Sequence, residues 1–171
     1  MRWYWIDRFI EFESGRRAKA VKAVSLAEEY LHDHFPGHPV MPHPLIIEGV
    51  AQTGGLLVAE YNAFSEKVVL AKISKAKFHG DAVPGDVLTY TADVEYIKKD
   101  GAMILGTVHR GEELFGYMEL VFAHLQNGHE NRMLFEPQTF LDMMRMLGAY
   151  DVGRAADGSP LAEPAGPTAG R

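Results

Sequence analysis

Two residues in this chain have the type and setting for acid–base chemistry. His34 opens the run His34-Phe35-Pro36-Gly37-His38-Pro39-Val40-Met41-Pro42. Glu48 lies further on, in Leu45-Ile46-Ile47-Glu48-Gly49-Val50-Ala51-Gln52. Histidine is the side chain whose ordinary pKa falls nearest neutrality, which suits it to accept a proton. A carboxyl group surrounded by apolar side chains loses solvation, which favours its protonated form and lets it donate. Groups with such opposite proton demands suit an elimination, in which one removes a proton and the other protonates a departing hydroxyl. Each residue alone also has an ordinary reading: a solvated or structural loop histidine, and a helix glutamate on a solvated face. Gln52 lies one helical turn beyond Glu48, where it can hydrogen-bond the carboxylate.

The elements that must hold these groups are legible from local pattern. Prolines 36, 39, 42 and 44 deny the His34 segment a helix, because proline lacks an N–H and disfavours helix at the preceding residue. A fixed loop is expected. Pro44 suits the first position of a helix, and Leu45 to Tyr61 is apolar on nearly every side, as in a helix buried all round. Gly49, Gly54 and Gly55 lie within it at about 1 kcal/mol each relative to alanine, which implies close backbone packing, as when a sheet wraps the helix. Ile6 to Glu13 and Arg16 to Val24 read as a hairpin around Ser14-Gly15, and a helical turn or two within Leu26 to His32, capped by Ser25, precedes the loop.

From Val68 to Leu125 the pattern is strand-like. Val68 to Phe78 is one run, and Asp81 to Asp86 is a turn. Leu88, Tyr90, Ala92, Val94 and Tyr96 alternate with polar residues, Asp100-Gly101 marks a hairpin turn, and Ala102 to Arg110 and Glu113 to Leu125 follow. Leu114, Met118, Leu120 and Phe122 are expected on one face of the last strand. A short amphipathic helix is predicted from Pro137 to Leu147, on the spacing of Phe140, Met144 and Leu147. The fold class is α+β, a long central helix with an antiparallel sheet. Residues 1–126 form the domain and 127–150 an extension; 151–171, rich in Gly, Pro and Ala, is expected to lack order.

Bulk properties exclude several functions. The 171 residues suit one domain with a tail, and 47% hydrophobic residues supply a core. A net charge of -6 argues against a nucleic-acid binder, which needs a cationic surface. The absence of cysteine excludes disulfides, thiolate catalysis and cysteine-ligated zinc. No apolar run approaches a bilayer span, and the start, Met1 to Arg8, is too short and too soon charged for a signal peptide, so a cytoplasmic protein without membrane contact is expected. His34, His38 and His43 could suggest a metal, but the intervening prolines prevent the helical facing that paired histidine ligands use; no metal site is assigned. Lys72, Lys75 and Lys77, with Arg16 and Arg17, form either a basic rim or a solvated strand face and protected sheet edge.

The segment His34 to Pro39, Met41-Pro42, Leu45 to Glu48 and Ala51-Gln52 closely resembles the signature of the 3-hydroxyacyl-[acyl carrier protein] dehydratases. Ile6-Asp7-Arg8-Phe9 with Glu11 and Gly15 is similar to that family's first hairpin. Lys77-Phe78 and Val83-Pro84-Gly85-Asp86 with Leu88 are similar to its later strand–turn–strand. Three separated segments agree in order, over about Trp3 to Leu125. The resemblance implies a hotdog fold and a homodimer, or a trimer of dimers, with the sheets joined edge to edge. It implies dehydration of acyl carrier protein (or coenzyme A) thioesters to trans-2-enoyl products in fatty-acid synthesis, without cofactor. His34 would take the C2 proton and the partner subunit's Glu48 would protonate the 3-hydroxyl. Phe35, Pro36, Gly37, His43, Leu45 and Gln52 would contact substrate in an apolar tunnel at the dimer interface, to which Trp3, Tyr4 and Trp5 could contribute. One departure stands out: His43-Pro44 replaces the family's usual glycine and hydrophobic residue at the helix start, where backbone N–H groups bind the thioester oxygen. Two alternatives remain, an acyl-thioester-binding module with weak or no catalysis and a hotdog thioesterase; the His-Phe-Pro-Gly motif points away from the latter.

Overall fold

The computed structural model describes residues 4–125 and 137–164, with the side chain of Pro137 excepted. Trp3, the segment between 126 and 136 and the last seven residues lie outside the described residues, so the expectations placed on them are not addressed. The elements in order are β1 (Arg8–Glu13), β2 (Arg17–Ala23), α1 (Tyr30–Asp33), α2 (His43–Tyr61), β3 (Lys67–Phe78), β4 (Val87–Lys98), β5 (Gly101–Arg110), β6 (Glu113–Leu125), α3 (Pro137–Met146), α4 (Ala149–Val152) and β7 (Gly153–Arg154). The described strands form one sheet in the order β3-β6-β5-β4-β2-β1-β7, antiparallel except where β7 runs parallel to β1.

The sheet packs its apolar face on α2. Leu88, Tyr90 and Ala92 of β4, Ile104 and Val108 of β5, and Met118 and Leu120 of β6 are buried there. The helix glycines provide room for this contact. A Cβ on Gly49 would lie 2.4 Å from the Tyr90 ring and 2.8 Å from the Trp5 carbonyl, and one on Gly54 would lie 3.2 Å from Ile104. Glycine therefore lets strand side chains pack directly on the helix backbone, despite its conformational cost. Thr53, fully buried, satisfies its hydroxyl by donating to the Gly49 carbonyl at 2.8 Å.

Several local expectations shift. Helix α1 starts at Tyr30 rather than Leu26. Ser25 Oγ accepts only from the Ala27 N–H, and Glu28 is drawn to the buried ammonium of Lys22 at 2.7 Å. The β4–β5 turn is Lys99-Asp100, since Lys98 pairs with Gly101. The face assigned to β6 also fails at one residue. The register against β5 slips between Val108 and His109, leaving Phe115 as an extra residue in β6. A bulge of this kind reverses the facing of what precedes it; Phe115 is wholly buried, and Leu114 is 44% exposed.

The end of the chain differs most. Residues 151–164, expected from composition to lack order, continue from α3 into α4 and then β7, whose Gly153 pairs with Phe12 of β1. Leu161 is buried and its N–H donates to the Gly153 carbonyl at 3.0 Å. Here Leu147, Ala149 and Leu161 bury apolar surface that composition alone understates. The extension thus covers the β1 edge of the sheet. The opposite edge, β3, is exposed from Leu70 to Lys77 and carries Lys72, Lys75 and Lys77 along it.

Candidate active site

The loop that carries His34 is closed by its own backbone. Phe35 and His38 exchange N–H···O bonds of 2.9 Å around Pro36-Gly37, and Gly37 has φ +75°, the left-handed conformation glycine tolerates after proline in a type II turn. The Val40 N–H donates to the His34 carbonyl at 2.8 Å, and Met41 pairs with Ala82, tying the loop to the segment before β4. Within this frame His34 Nδ1 lies 2.9 Å from the Val40 carbonyl oxygen. A carbonyl can only accept, so Nδ1 carries the hydrogen and Nε2 is left with the basic lone pair. The His34 ring stacks on Phe35 at 4.1 Å. Phe35, Pro36 and Gly37 are exposed in the single chain.

Glu48 stands on the stripe of α2 formed with Gln52, Gly55 and Ala59, the i, i+4, i+7, i+11 spacing of one helical face. The sheet does not close fully on this stripe. It instead lines a cavity of about 330 Å³ whose other walls come from Val68–Leu70 of β3, Phe122 of β6, and Phe140 and Met143 of α3. Glu48 is exposed in the single chain, so the desolvated setting expected from its apolar neighbours in sequence is not made by one chain alone. Its carboxylate is nonetheless held: Gln52 Nε2 donates to Glu48 Oε1 at 3.0 Å. The amide is oriented in turn by the Trp5 backbone N–H, which donates to Gln52 Oε1 at 2.9 Å.

The residues expected to bind substrate divide into separate groups. Glu48 and Gln52 share the cavity; His34, Phe35, Pro36, Gly37, His43 and Leu45 do not line it within one chain. Leu45 is half-buried against the core. His43 turns its ring onto Phe78 at 4.2 Å, and its Nε2–H donates to the Gly80 carbonyl at 3.0 Å. The bulky side chain is thereby folded against the end of β3, away from the cavity. The backbone N–H of His43 is retained at the helix start, although Pro44 has none, and the Leu45 N–H is taken by the Pro42 carbonyl at 2.9 Å. Among the described residues no three His, Asp or Glu side chains gather as metal ligands.

Sequence pattern missed the parts played by three residues. Trp5 acts through its main chain, for which side-chain type gives no signal. Phe140 and Met143 were visible only as part of an amphipathic helix, whose spacing shows that a face is buried but not against what.

A long helix clasped by an antiparallel sheet, with an apolar groove along the helix, makes this a hotdog-fold protein. Solved structures share the architecture at low identity. A Streptococcus mutans protein determined with acetyl CoA superposes with a TM-score of 0.60 at 13% identity, over 74% of this chain and 94% of that one. One chain of the dehydratase heterocomplex ApeI:P from Xenorhabdus doucetiae gives 0.51 at 16%, over 64% and 89%. A Haemophilus influenzae thioesterase gives 0.55 at 12%, over 69% and 78%.

Residues 3–112 match the model of the FabA-like domain, and the chain belongs to the FabA-like family. Curated relatives include the 3-hydroxyacyl-[acyl-carrier-protein] dehydratase FabZ of Pelotomaculum thermopropionicum, 39% identical over 119 residues, 69% of this chain and 85% of that one. The FabZ of Koribacter versatilis is 41% identical over 111 residues, 64% of this chain and 71% of its own.

Proposed function

We propose that this protein dehydrates 3-hydroxyacyl thioesters carried by acyl carrier protein, the activity for which its curated relatives are named, with His34 as base and Glu48 as acid. The observation that carries the reading is Glu48, held by Gln52 at one end of an otherwise apolar groove. An acyl chain fills the groove and the 3-hydroxyl meets the carboxyl. His34 Nε2 takes a proton from C2, and the electron pair of that C–H bond becomes the C2–C3 double bond. The C3–O bond breaks, and the oxygen leaves as water with the proton that Glu48 supplies. Imidazolium and carboxylate remain, and proton return resets the site. The thioester oxygen, on which charge builds, is held by the His43 N–H at the helix N-terminus.

Within one chain the His34 loop and the Glu48 cavity are separate, which supports a site shared between subunits. The exposed β3 edge supports the same assembly. Leu70 and Ile73 are 37% and 45% exposed on it, and a long, partly apolar strand edge invites pairing with another strand. We assign a homodimer joined along β3, with His34 of one protomer facing Glu48 of its partner, and a cytoplasmic location beside the carrier protein. No helix among the described residues is long and apolar enough to cross a membrane.

The test is conversion of a 3-hydroxyacyl carrier-protein thioester to its enoyl product, followed by absorbance. Wild type forms enoyl thioester, and His34→Ala and Glu48→Gln do not. Tight thioester binding without product in wild type would instead make the protein an acyl-binding module, and thiol release without enoyl formation would make it a thioesterase.

A further inference from the structure

We propose that the C-terminal extension sets the acyl-chain length that this protein accepts, with Phe140 and Met143 of α3 as the floor of the groove and Gly55 in its wall. The inference rests on the acyl-thioester reading of the groove given above.

The matched family region ends at residue 112, and α3 lies beyond it and beyond β6, the last long strand of the sheet. Its position is fixed from both ends. Phe140 stacks on Phe64, just past the C-terminus of α2, at 6.2 Å, and the Leu147 carbonyl accepts the Phe9 N–H at 2.8 Å. Leu141, Met144 and Leu147 are buried in the core. Phe140 and Met143 face the cavity that Glu48 enters at its other end. The groove therefore has a reactive end and a closed end on one helical stripe. From Glu48 to Ala59 this stripe rises about 16 Å, at roughly 1.5 Å per residue. An extended alkyl chain advances about 1.25 Å per carbon, given a 1.52 Å bond and a ~111° angle. Roughly a dozen carbons beyond the 3-hydroxyl position thus reach the floor, and longer chains collide with Phe140 and Met143.

Gly55 lies midway. A Cβ there would stand 3.4 Å from the Phe122 ring, an ordinary contact in the groove wall that both residues line, and would take up space beside a chain. Glycine at this point widens the groove where helix stability alone favours alanine.

The experiment measures kcat/KM over a series of 3-hydroxyacyl thioesters of increasing length for wild type, the double variant Phe140→Ala/Met143→Ala, and Gly55→Ala. In parallel, the affinity for saturated acyl-coenzyme A thioesters of the same lengths, which cannot dehydrate, is measured by calorimetry. The double variant is expected to move both profiles to longer chains, with the long-to-short ratio rising about ten-fold or more, as a methylene-sized change in an apolar pocket gives. Gly55→Ala, which a helix accommodates, is expected to move both to shorter chains. Profiles superimposing on wild type in both variants would overturn the inference and reduce α3 to a packing element. If wild type dehydrates nothing, the enzyme reading fails instead, and the affinity profiles still decide whether α3 limits chain length.

Discussion

Gln52 fixes Glu48 by a hydrogen bond of 3.0 Å whose direction is dictated from elsewhere in the fold. The Trp5 N–H needs an acceptor, so Gln52 must turn its oxygen to Trp5 and its NH₂ to the carboxylate. Replacing Gln52 by leucine removes both bonds. The Trp5 N–H is left to find another partner, at about 1–3 kcal/mol of stability if buried without one, and Glu48 is free to swing. Dehydratase kcat is expected to fall about ten-fold or more from lost orientation, alongside a measurable fall in Tm. A variant with lowered Tm but unchanged kcat would show that the bond serves the fold alone.

A site shared by two subunits predicts complementation. His34→Ala and Glu48→Gln each lose about 10² to 10⁴ in kcat, the usual worth of a positioned acid or base. When the two inactive variants are unfolded and refolded together, mixed dimers contain one site with both native groups and one with neither. With random pairing, about a quarter of wild-type activity should return. Refolding each variant alone should return none, and no recovery in the mixture would place His34 and Glu48 of the same chain in one site.

The loop was legible because its residues constrain the backbone directly. Pro36 and Gly37 supply the two central conformations of one turn, and prolines 39, 42 and 44 leave the flanking chain few alternatives. The central helix was legible because Ile46, Val50, Leu57 and their neighbours leave it no solvent face over most of its length. What the pattern concealed depends on partners. Leu114 and Phe115 exchanged facing through a slip in pairing with β5, which alternation within β6 cannot report. The order of residues 151–164 rests on Leu161 and Gly153 meeting the rest of the fold, not on their own composition. His34 and Glu48 were identifiable by type, but one chain does not bring them to a common cavity, and the shared site proposed above is foreshadowed in the sequence only by the apolar residues of the exposed β3 edge.

Gly49 should not tolerate alanine. A helix interior gains about 1 kcal/mol from glycine to alanine. At this position, however, the new Cβ would sit 2.4 Å from the Tyr90 ring and 2.8 Å from the Trp5 carbonyl. Tyr90 is wholly buried and cannot swing out to solvent. Overpacking of this kind costs about 1–3 kcal/mol, so Gly49→Ala is expected to lower Tm despite the helical gain. Trp5 would be displaced with the strain, and through it the Gln52 amide, so kcat should fall along with stability. A Tm at or above wild type would mean that the Tyr90 contact relaxes freely.

Glu60 makes stability depend on pH in a direction opposite to that of a salt-bridged carboxylate. Desolvation, the larger effect, raises its pKa above the ordinary carboxylate range; a hydrogen bond from Ser14 lowers it in part. Nearby, burial and the charges of Glu163 and Glu60 push the Tyr150 phenol up to about 12, so it stays neutral at physiological pH. For a carboxyl whose folded pKa exceeds its unfolded one, the folded state binds more protons, and stability falls as pH rises between the two values. The contribution is present below the unfolded pKa and gone above the folded one. Glu60→Gln removes the charge without changing shape. It is expected to raise Tm at neutral pH and to change little near pH 4, where Glu60 is protonated in the wild type. Thermal melts of both proteins from acid to neutral pH test this. A Tm difference constant across that range, or one largest in acid, would mean that Glu60 is ionised in the folded protein without cost.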